Sequence, residues 1–272
     1  MKIGLTVRMT KDLEANFEQA KALGITSIQL VCWELDLYSP EYTERVIAAR
    51  EACGLEISAC WIGWSAPKIW NVVEGPLTLG LLPEAYRLQR IEDMKRGSDF
   101  AKSIGVNQVV THVGFIPEQP HEQGYPGMIC ALREVAAHCK TNGQKFLFET
   151  GQETPFTLLR AIDDIGLDNL GVNFDPANLM LYGKANPLDA LEVLAPYVCG
   201  VHAKDGSYPK GGRDMGVEYP VGEGKVNFPE FLRRLRALRY DGPLTIECEI
   251  KGEETAGVAI AAKRLREMLA AL

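Results

Sequence analysis

Two hydrophobic patterns alternate along the whole chain. Eight short apolar runs are typical of buried parallel strands, and the stretches between them carry apolar residues every three or four positions, as amphipathic helices do. The predicted strands are KIGLTV (2–7), SIQLVC (27–32), EISACWIGW (56–64), NQVVTHVG (107–114), KFLFET (145–150), LGVNFD (170–175), CGVHAKD (199–205) and PLTIECE (243–249). Strand–helix alternation repeated eight times predicts an α/β fold, a single (β/α)8 TIM barrel over residues 1–272.

Helix ends and connections support this arrangement. Glycines that would form left-handed C-terminal caps stand just before several strands, at Gly24, Gly54, Gly105, Gly143 and Gly166. A last helix is predicted from about residue 253 to 272. A doubly wound open sheet is the main alternative, but no GxGxxG turn follows the first strand. The longest connections, 65–85 and 206–226, follow strands three and seven; we expect lids or specificity loops there, with plain surface excursions as the alternative.

Composition narrows the class of protein. The chain has 272 residues, of which 46% are hydrophobic and 24% charged, as in globular enzymes. A net charge of −7 argues against a general nucleic-acid binder. No run approaches the ~20 apolar residues of a membrane span, and the start MKIGLTVRMT lacks the apolar stretch of a signal peptide. Seven cysteines without a CxxC pair indicate reduced thiols and a cytoplasmic location.

Four residues suited to metal binding stand late in predicted strands five to eight: Glu149, Asp175, His202 and Glu247. Since side chains alternate between the faces of a strand, each lies opposite the apolar residues that fit burial under helices, and the four share the lumen. Glu249 shares the face of Glu247 but lies less deep. Singly, each could be a rim residue, a helix cap or a core histidine. Their matching depth favours one metal site, and oxygen ligands with one imidazole suit Mn²⁺, Mg²⁺ or Co²⁺ better than a structural zinc site.

Six motifs resemble those of the xylose isomerase-like barrel superfamily, over essentially the whole chain. They are HVG (112–114), FETGQETP (148–155), NFDPAN (173–178), VHAKD (201–205), VGEGKVNF (221–228) and YDGPLTIE (240–247). This group includes sugar isomerases and epimerases and endonuclease IV-type enzymes. The resemblance implies that the four strand-end residues hold one divalent metal ion, Mn²⁺ first, with Mg²⁺, Co²⁺ or Zn²⁺ as alternatives.

Two positions depart from the sugar 3-epimerases of that group. Asn178 stands where they usually carry histidine, and Pro155 stands where they carry a further glutamate. We therefore expect different substrate contacts, and these departures argue against ketohexose 3-epimerase activity.

The predicted activity is a metal-dependent sugar, or sugar phosphate, isomerase or epimerase. A divalent ion could hold the carbonyl and adjacent hydroxyl of a ketose and lower the cost of forming an enediolate. Epimerisation also needs bases on both faces of the reacting carbon, and Glu149 and Glu247 are the candidates. A keto-inositol isomerase or a dehydratase would share the first step. An endonuclease IV-like phosphodiesterase, disfavoured by only four histidines, and a non-catalytic binding protein are the remaining alternatives.

The candidate substrate-binding residues are His112, Gln152, Asn178, Lys204, Arg213 and Trp61. Lys204 could stabilise an oxyanion, while its neighbour Asp205 is better explained as a loop anchor. The four tryptophans could form an apolar wall for a sugar ring, although core packing explains each of them more simply when it is taken alone. For Arg213 the simpler explanation is an exposed, solvated side chain. The expected partner is a small carbohydrate, without nucleic acid or membrane, and the expected assembly is a homodimer or homotetramer.

Overall fold

Eight parallel strands close into one barrel in the computed structural model, which describes residues 1–65, 67–250 and 254–272. The barrel strands are β1 (Lys2–Arg8), β2 (Ser27–Cys32), β3 (Glu56–Ile62), β4 (Gln108–Thr111), β5 (Lys145–Glu149), β6 (Leu170–Phe174), β7 (Val198–Ala203) and β10 (Pro243–Ile246). They follow the order β1-β10-β7-β6-β5-β4-β3-β2, so that β1 pairs with both β10 and β2. The predicted (β/α)8 barrel is confirmed.

Helices follow the strands and surround the barrel. They are α1 (Leu13–Ala22), α2 (Pro40–Cys53), α3 (Gly75–Thr78), α4 (Glu84–Ser103), α5 (Tyr125–Thr141), α6 (Pro155–Ile165), α7 (Pro176–Leu181), α8 (Pro187–Leu194), α9 (Phe228–Ala237) and α10 (Glu254–Ala270). The predicted start of the last helix at residue 253 lies outside the described residues. None of the helices within the described ranges is long and apolar enough to cross a membrane.

Local sequence explains where several helices begin and end. Four of them start with proline, and the residue before the proline is an N-cap whose side chain accepts a hydrogen bond from a backbone N–H of the first turn. These N-caps are Ser39, Thr154, Asp175 and Asn186. The five glycines predicted at helix ends all have positive φ. At Gly54 and Gly166 this left-handed residue is the C-cap itself.

The predicted alternation of strand faces is also confirmed. Phe146, Phe148 and Phe174 point outward into the layer between barrel and helices, whereas Leu147 packs in the lumen with Trp61 and other residues. The third to eighth predicted strands, however, extend too far at their C-terminal ends. β10 ends at Ile246 rather than 249, and β6 ends at Phe174, because Pro176 starts a helix and removes a ladder donor. Asp175 and Glu247 therefore lie just beyond their strands.

Both long connections carry structure of their own. The connection after β3 contains α3, and Arg90 of α4 lies beneath it, fully buried, donating to the carbonyl oxygens of Ser65, Pro67 and Gly80 at 2.7–3.1 Å. The connection after β7 contains an antiparallel pair, β8 (Asp205–Gly206) and β9 (Glu218–Tyr219). The Asp205 carboxylate accepts four backbone N–H bonds of this segment, from Gly206, Gly222, Gly224 and Val226. As expected from the sequence, Asp205 anchors the loop.

Candidate metal centre

Four buried side chains from neighbouring strands meet at the C-terminal mouth of the lumen. Their ligand atoms all lie within 4.8 Å of one another, and the residues are Glu149, Asp175, His202 and Glu247. Glu149 ends β5, His202 lies within β7, and the other two directly follow β6 and β10. Helix α7 fixes Asp175, because its Oδ1 caps the helix by accepting the N–H of Asn178 at 2.8 Å, which leaves Oδ2 directed at the centre. The structure thus brings together all four predicted ligands.

The distances fit a hexacoordinate cation. The Nδ1 atom of His202 lies 3.2 Å from Glu149 Oε1, 3.3 Å from Asp175 Oδ2 and 3.1 Å from Glu247 Oε2. Adjacent ligands of an octahedral ion with bonds of ~2.1 Å are about 3 Å apart. The carboxylates carry the oxygen atoms that hard divalent ions prefer, and the single imidazole nitrogen also suits Mn²⁺ or Co²⁺. The donor set therefore fits one divalent metal ion.

The electrostatics of the four residues are unequal. Burial opposes a charge on His202, but the carboxylates of Glu149 and Glu247 outweigh it and raise the pKa of the imidazole well above its usual range. Burial, aided by the like charges of Glu247 and Asp175, raises the pKa of Glu149 to about 8. Burial also opposes ionisation of Glu247, yet the cations of Lys204 and His202 hold its pKa below the usual value.

Lys204 separates Glu247 from its neighbour Glu249. The buried ammonium group lies 3.3 Å from Glu247 Oε2 and 2.5 Å from Glu249 Oε2. The Glu249 side chain is 56% exposed and contacts this lysine rather than the centre, whereas Glu247 is 5% exposed. The choice of Glu247 over Glu249 as the ligand agrees with this placement.

A cavity of about 1010 Å³ adjoins the centre. Of the six candidate substrate-binding residues, His112, Asn178, Lys204 and Trp61 line it. Gln152 is buried beside this site but is not part of the cavity wall, and Arg213 is exposed in the connection after β7, away from the wall. The structure therefore brings four of the six to the site.

His112 and Asn178 both contact Glu149. The His112 Nε2 atom lies 3.3 Å from Glu149 Oε2, and the Asn178 amide donates to Glu149 Oε1 at 3.4 Å. Burial lowers the pKa of His112 to about 4, so that the ring is neutral at physiological pH. The Nδ1 atom of His112 and the Oε2 atom of Glu149 have no hydrogen-bond partner among the described residues.

All four tryptophans form one aromatic wall opposite the ligand strands. Ring centroids of Trp33 lie 5.4–6.2 Å from those of Trp61, Trp64 and Trp70. Trp64 is fully buried with its N–H on the His112 carbonyl, and the other three line the cavity. The predicted apolar wall is therefore present as one connected cluster. If each tryptophan were only a separate packing residue, the four rings would not need to contact one another.

Several residues of the site were missed by sequence reasoning. Lys68, which lines the cavity 4.8 Å above the Trp33 ring, belongs to a connection without hydrophobic periodicity, so no pattern pointed to it. Gln29 and Asn173 lie in the lumen beside His202. Gln29 did give a signal, because it is a polar residue on the lumen face of the apolar run SIQLVC.

The fold and this site define the class of protein. The sequence model of the family described as xylose isomerase-like TIM barrel matches residues 17–268, and the chain belongs to this family. The crystal structure of a xylose isomerase domain protein from Planctomyces limnophilus is 31% identical, with a TM-score of 0.92 over 98% of this chain and 96% of that chain.

Two more distant relatives were found. An uncharacterised protein of Methanocaldococcus jannaschii is 26% identical over 265 residues, which cover 91% of this chain and 83% of the relative. The structure of a D-tagatose 3-epimerase-like protein is 24% identical, with a TM-score of 0.76 over 99% of this chain and 97% of that chain. At this identity the second likeness shows the fold alone.

Proposed function

We propose that this protein is a metal-dependent isomerase or epimerase that removes a proton from the carbon next to the carbonyl group of a small carbohydrate and then returns one. The observation that carries the proposal is the placement of Glu149 and Glu247 in one buried centre with Asp175 and His202, where the ligand atoms all lie within 4.8 Å of one another. Two carboxyl groups that reach one lumen from different strands are suited to act as acid and base on a carbon held between them.

The four buried ligands would hold one divalent ion, with Mn²⁺ as the first candidate. When bound, this ion supplies a positive charge that lowers the cost of negative charge on the carbonyl oxygen of the substrate. Its binding also removes the conflict between three carboxylates and one imidazole in a space of 4.8 Å. Among the described residues, Lys204 is the cation that touches this group.

The two glutamates would transfer the proton. One of the two carboxylates takes the proton from the reacting carbon, and the other returns a proton from the opposite side. The Asn178 amide holds the Glu149 carboxyl group through Oε1, and His112 Nε2 lies 3.3 Å from Oε2.

The cavity wall provides contacts for an uncharged polyol. Trp61 Nε1 and His112 Nδ1 are buried in this wall and lack a hydrogen-bond partner within the described part of the chain. The indole N–H donates, and a neutral imidazole nitrogen donates or accepts according to its tautomer, so together they match the hydroxyl groups of a sugar. The Trp33 and Trp70 rings offer flat apolar surface for its C–H groups.

Solvent-deuterium exchange tests the proposal. The protein is incubated with Mn²⁺ in D₂O with a series of ketoses, ketose phosphates and keto-inositols, and deuterium incorporation is followed by NMR and mass spectrometry. We expect exchange next to the carbonyl of at least one ketose. Glu149→Gln and Glu247→Gln should each slow it by roughly 10²–10⁴-fold. Glu153→Gln, a buried carboxyl that is not part of the cavity wall, is the matched control and should retain exchange.

Two results would contradict the proposal. One is a protein that binds none of Mn²⁺, Mg²⁺, Co²⁺ or Zn²⁺ in calorimetric titration. The other is a folded Glu149→Gln or Glu247→Gln variant that exchanges at the rate of the parent protein, which would remove that residue from proton transfer.

A further inference from the structure

A chain of buried hydrogen bonds crosses the lumen beneath the candidate metal centre. The Nε2 atom of His202 lies 2.8 Å from the Oε1 atom of Gln29, and the Gln29 amide donates to the Oδ1 atom of Asn173 at 2.9 Å. All three side chains are at most 2% exposed. The residues come from β7, β2 and β6, so the contact of Gln29 with the other two spans the barrel interior.

The polarity of this chain decides which nitrogen of His202 can bind a cation. A carboxamide oxygen only accepts hydrogen bonds, so Oε1 of Gln29 requires a proton on Nε2. When a cation displaces the proton of Nδ1, the lone pair of this nitrogen then faces the space between the three carboxylates. If the Gln29 amide were turned over, its N–H group would face Nε2 and the ring proton would move to Nδ1, in the space where the metal ion belongs. One amide orientation alone is therefore compatible with metal binding.

Asn173 keeps the Gln29 amide in that orientation. Its Oδ1 atom takes up the Gln29 N–H, which leaves the Gln29 oxygen for His202. Gly200 on the adjacent strand leaves room for the Oδ1 atom of Asn173, because a Cβ atom at this glycine would lie 2.4 Å from that oxygen. Asn173 and Gly200 are register partners between β6 and β7, so the strand pairing itself places the amide.

We propose that Gln29 is the positioning residue of the metal centre: it sets the tautomer and ring orientation of His202, and Asn173 orients its amide. The inference rests on the proposed metal site. It assigns a function to strand β2, which contributes no ligand. The hydrogen-bond partner on the second nitrogen of a metal-binding histidine typically contributes a factor of 10–100 in metal affinity.

Metal affinity of three variants tests this assignment. Mn²⁺ binding is measured by calorimetry and by electron paramagnetic resonance on folded protein. Gln29→Leu removes the acceptor and should weaken binding by roughly 10–100-fold. Gln29→Glu keeps an oxygen acceptor opposite Nε2 of His202 and should therefore bind Mn²⁺ more tightly than Gln29→Leu.

Gln144→Leu is the matched control. Gln144 is a second glutamine buried to 2% exposure, and it bonds Ser98 and Val106 away from the site. Its loss should lower stability without changing the affinity for Mn²⁺. A folded Gln29→Leu variant that binds Mn²⁺ as tightly as the parent overturns the assignment, as does equal weakening in Gln29→Leu and Gln144→Leu.

A spectroscopic measurement on the parent protein keeps the test independent of folding of the variants. In ¹⁵N-labelled protein loaded with Mg²⁺, His202 should show a protonated, hydrogen-bonded Nε2 that exchanges slowly with water, and an Nδ1 without a proton. An Nδ1–H tautomer overturns the proposal. If the parent binds no metal at all, the proposed function fails. In that case a slowly exchanging Nε2–H of His202 in the metal-free protein still shows that Gln29 holds the ring. The absence of this slowly exchanging proton overturns the inference about Gln29.

Discussion

Glu153 provides a quantitative test of the electrostatics near the site. It follows β5 in the connection to α6, is 2% exposed, and its Oε2 atom has no hydrogen-bond partner among the described residues. Burial raises the pKa of this carboxyl to about 8, against weaker opposing effects of backbone N–H groups at 151–153 and of Lys184. The carboxyl group is therefore protonated in the folded protein at neutral pH.

The sign and size of the effect on stability follow from this shift. The folded state keeps a proton that the unfolded chain releases above its ordinary pKa of 4.5, so stability falls as the pH rises from 4.5 to about 8. One pKa unit corresponds to about 1.4 kcal/mol, which gives a total loss of up to about 5 kcal/mol across this window. Glutamine imitates the protonated acid, because it is neutral, has nearly the same shape and carries an acceptor oxygen beside a donor group, and it does not titrate. Glu153→Gln should match the parent near pH 4.5 and exceed its stability by several kcal/mol at pH 8.

Urea denaturation of both proteins at intervals between pH 5 and pH 8.5 measures this difference. The gain in the free energy of unfolding should grow steadily with pH over the window. Glu44→Gln, an exposed substitution on α2, corrects for the change in net charge. A stability difference between Glu153→Gln and the parent that stays constant from pH 5 to pH 8.5 would refute the reasoning, since it would mean that Glu153 is ionised in the fold.

Two further predictions concern the long connections. Asp205→Asn removes charge from the group that accepts four N–H bonds; it should cost about 1–3 kcal/mol and expose the connection at 206–226 to limited proteolysis. Arg90→Met leaves three carbonyl groups beneath the connection after β3 unpaired; it should cost about 3 kcal/mol, measured by thermal unfolding, and raise KM more than it lowers kcat. Unchanged melting temperatures would contradict both.

The sequence was sufficient for the barrel and for the four candidate ligands, for a physical reason. Both inferences depend on periodicity: strands alternate with period two, and parallel strands place their C-terminal ends at one mouth. Asp175 and Glu247 face the lumen as predicted although both lie one residue beyond their strands, because the backbone still continues the alternation of side chains at that point. Exact strand ends were not predictable from apolar runs, since apolar residues continue into the connections.

Contacts across the lumen or within irregular connections could not be predicted in this way. Gln29 was visible as a polar residue in an apolar strand, but its partners His202 and Asn173 are on the far side of the barrel, at a distance that no local pattern encodes. The same holds for Arg90 and Lys68, whose partners lie in a connection without periodicity. Composition did not reveal that the four tryptophans form one cluster.

The two halves of the lumen differ in a way that bears on substrate choice. The half formed by β5, β6, β7 and β10 supplies every ligand of the candidate centre, whereas the half formed by β2 and β3 and their connections supplies the aromatic wall. Trp61 of the wall lies against the ring of His202, with the ring centroids 5.7 Å apart, so the substitutions expected to leave the ligand geometry intact are those at the mouth rather than at Trp61. In the proposed enzyme the substrate would therefore be chosen by the wall, and above all by Trp70, which is 41% exposed at the mouth and 4.9 Å from the His112 ring.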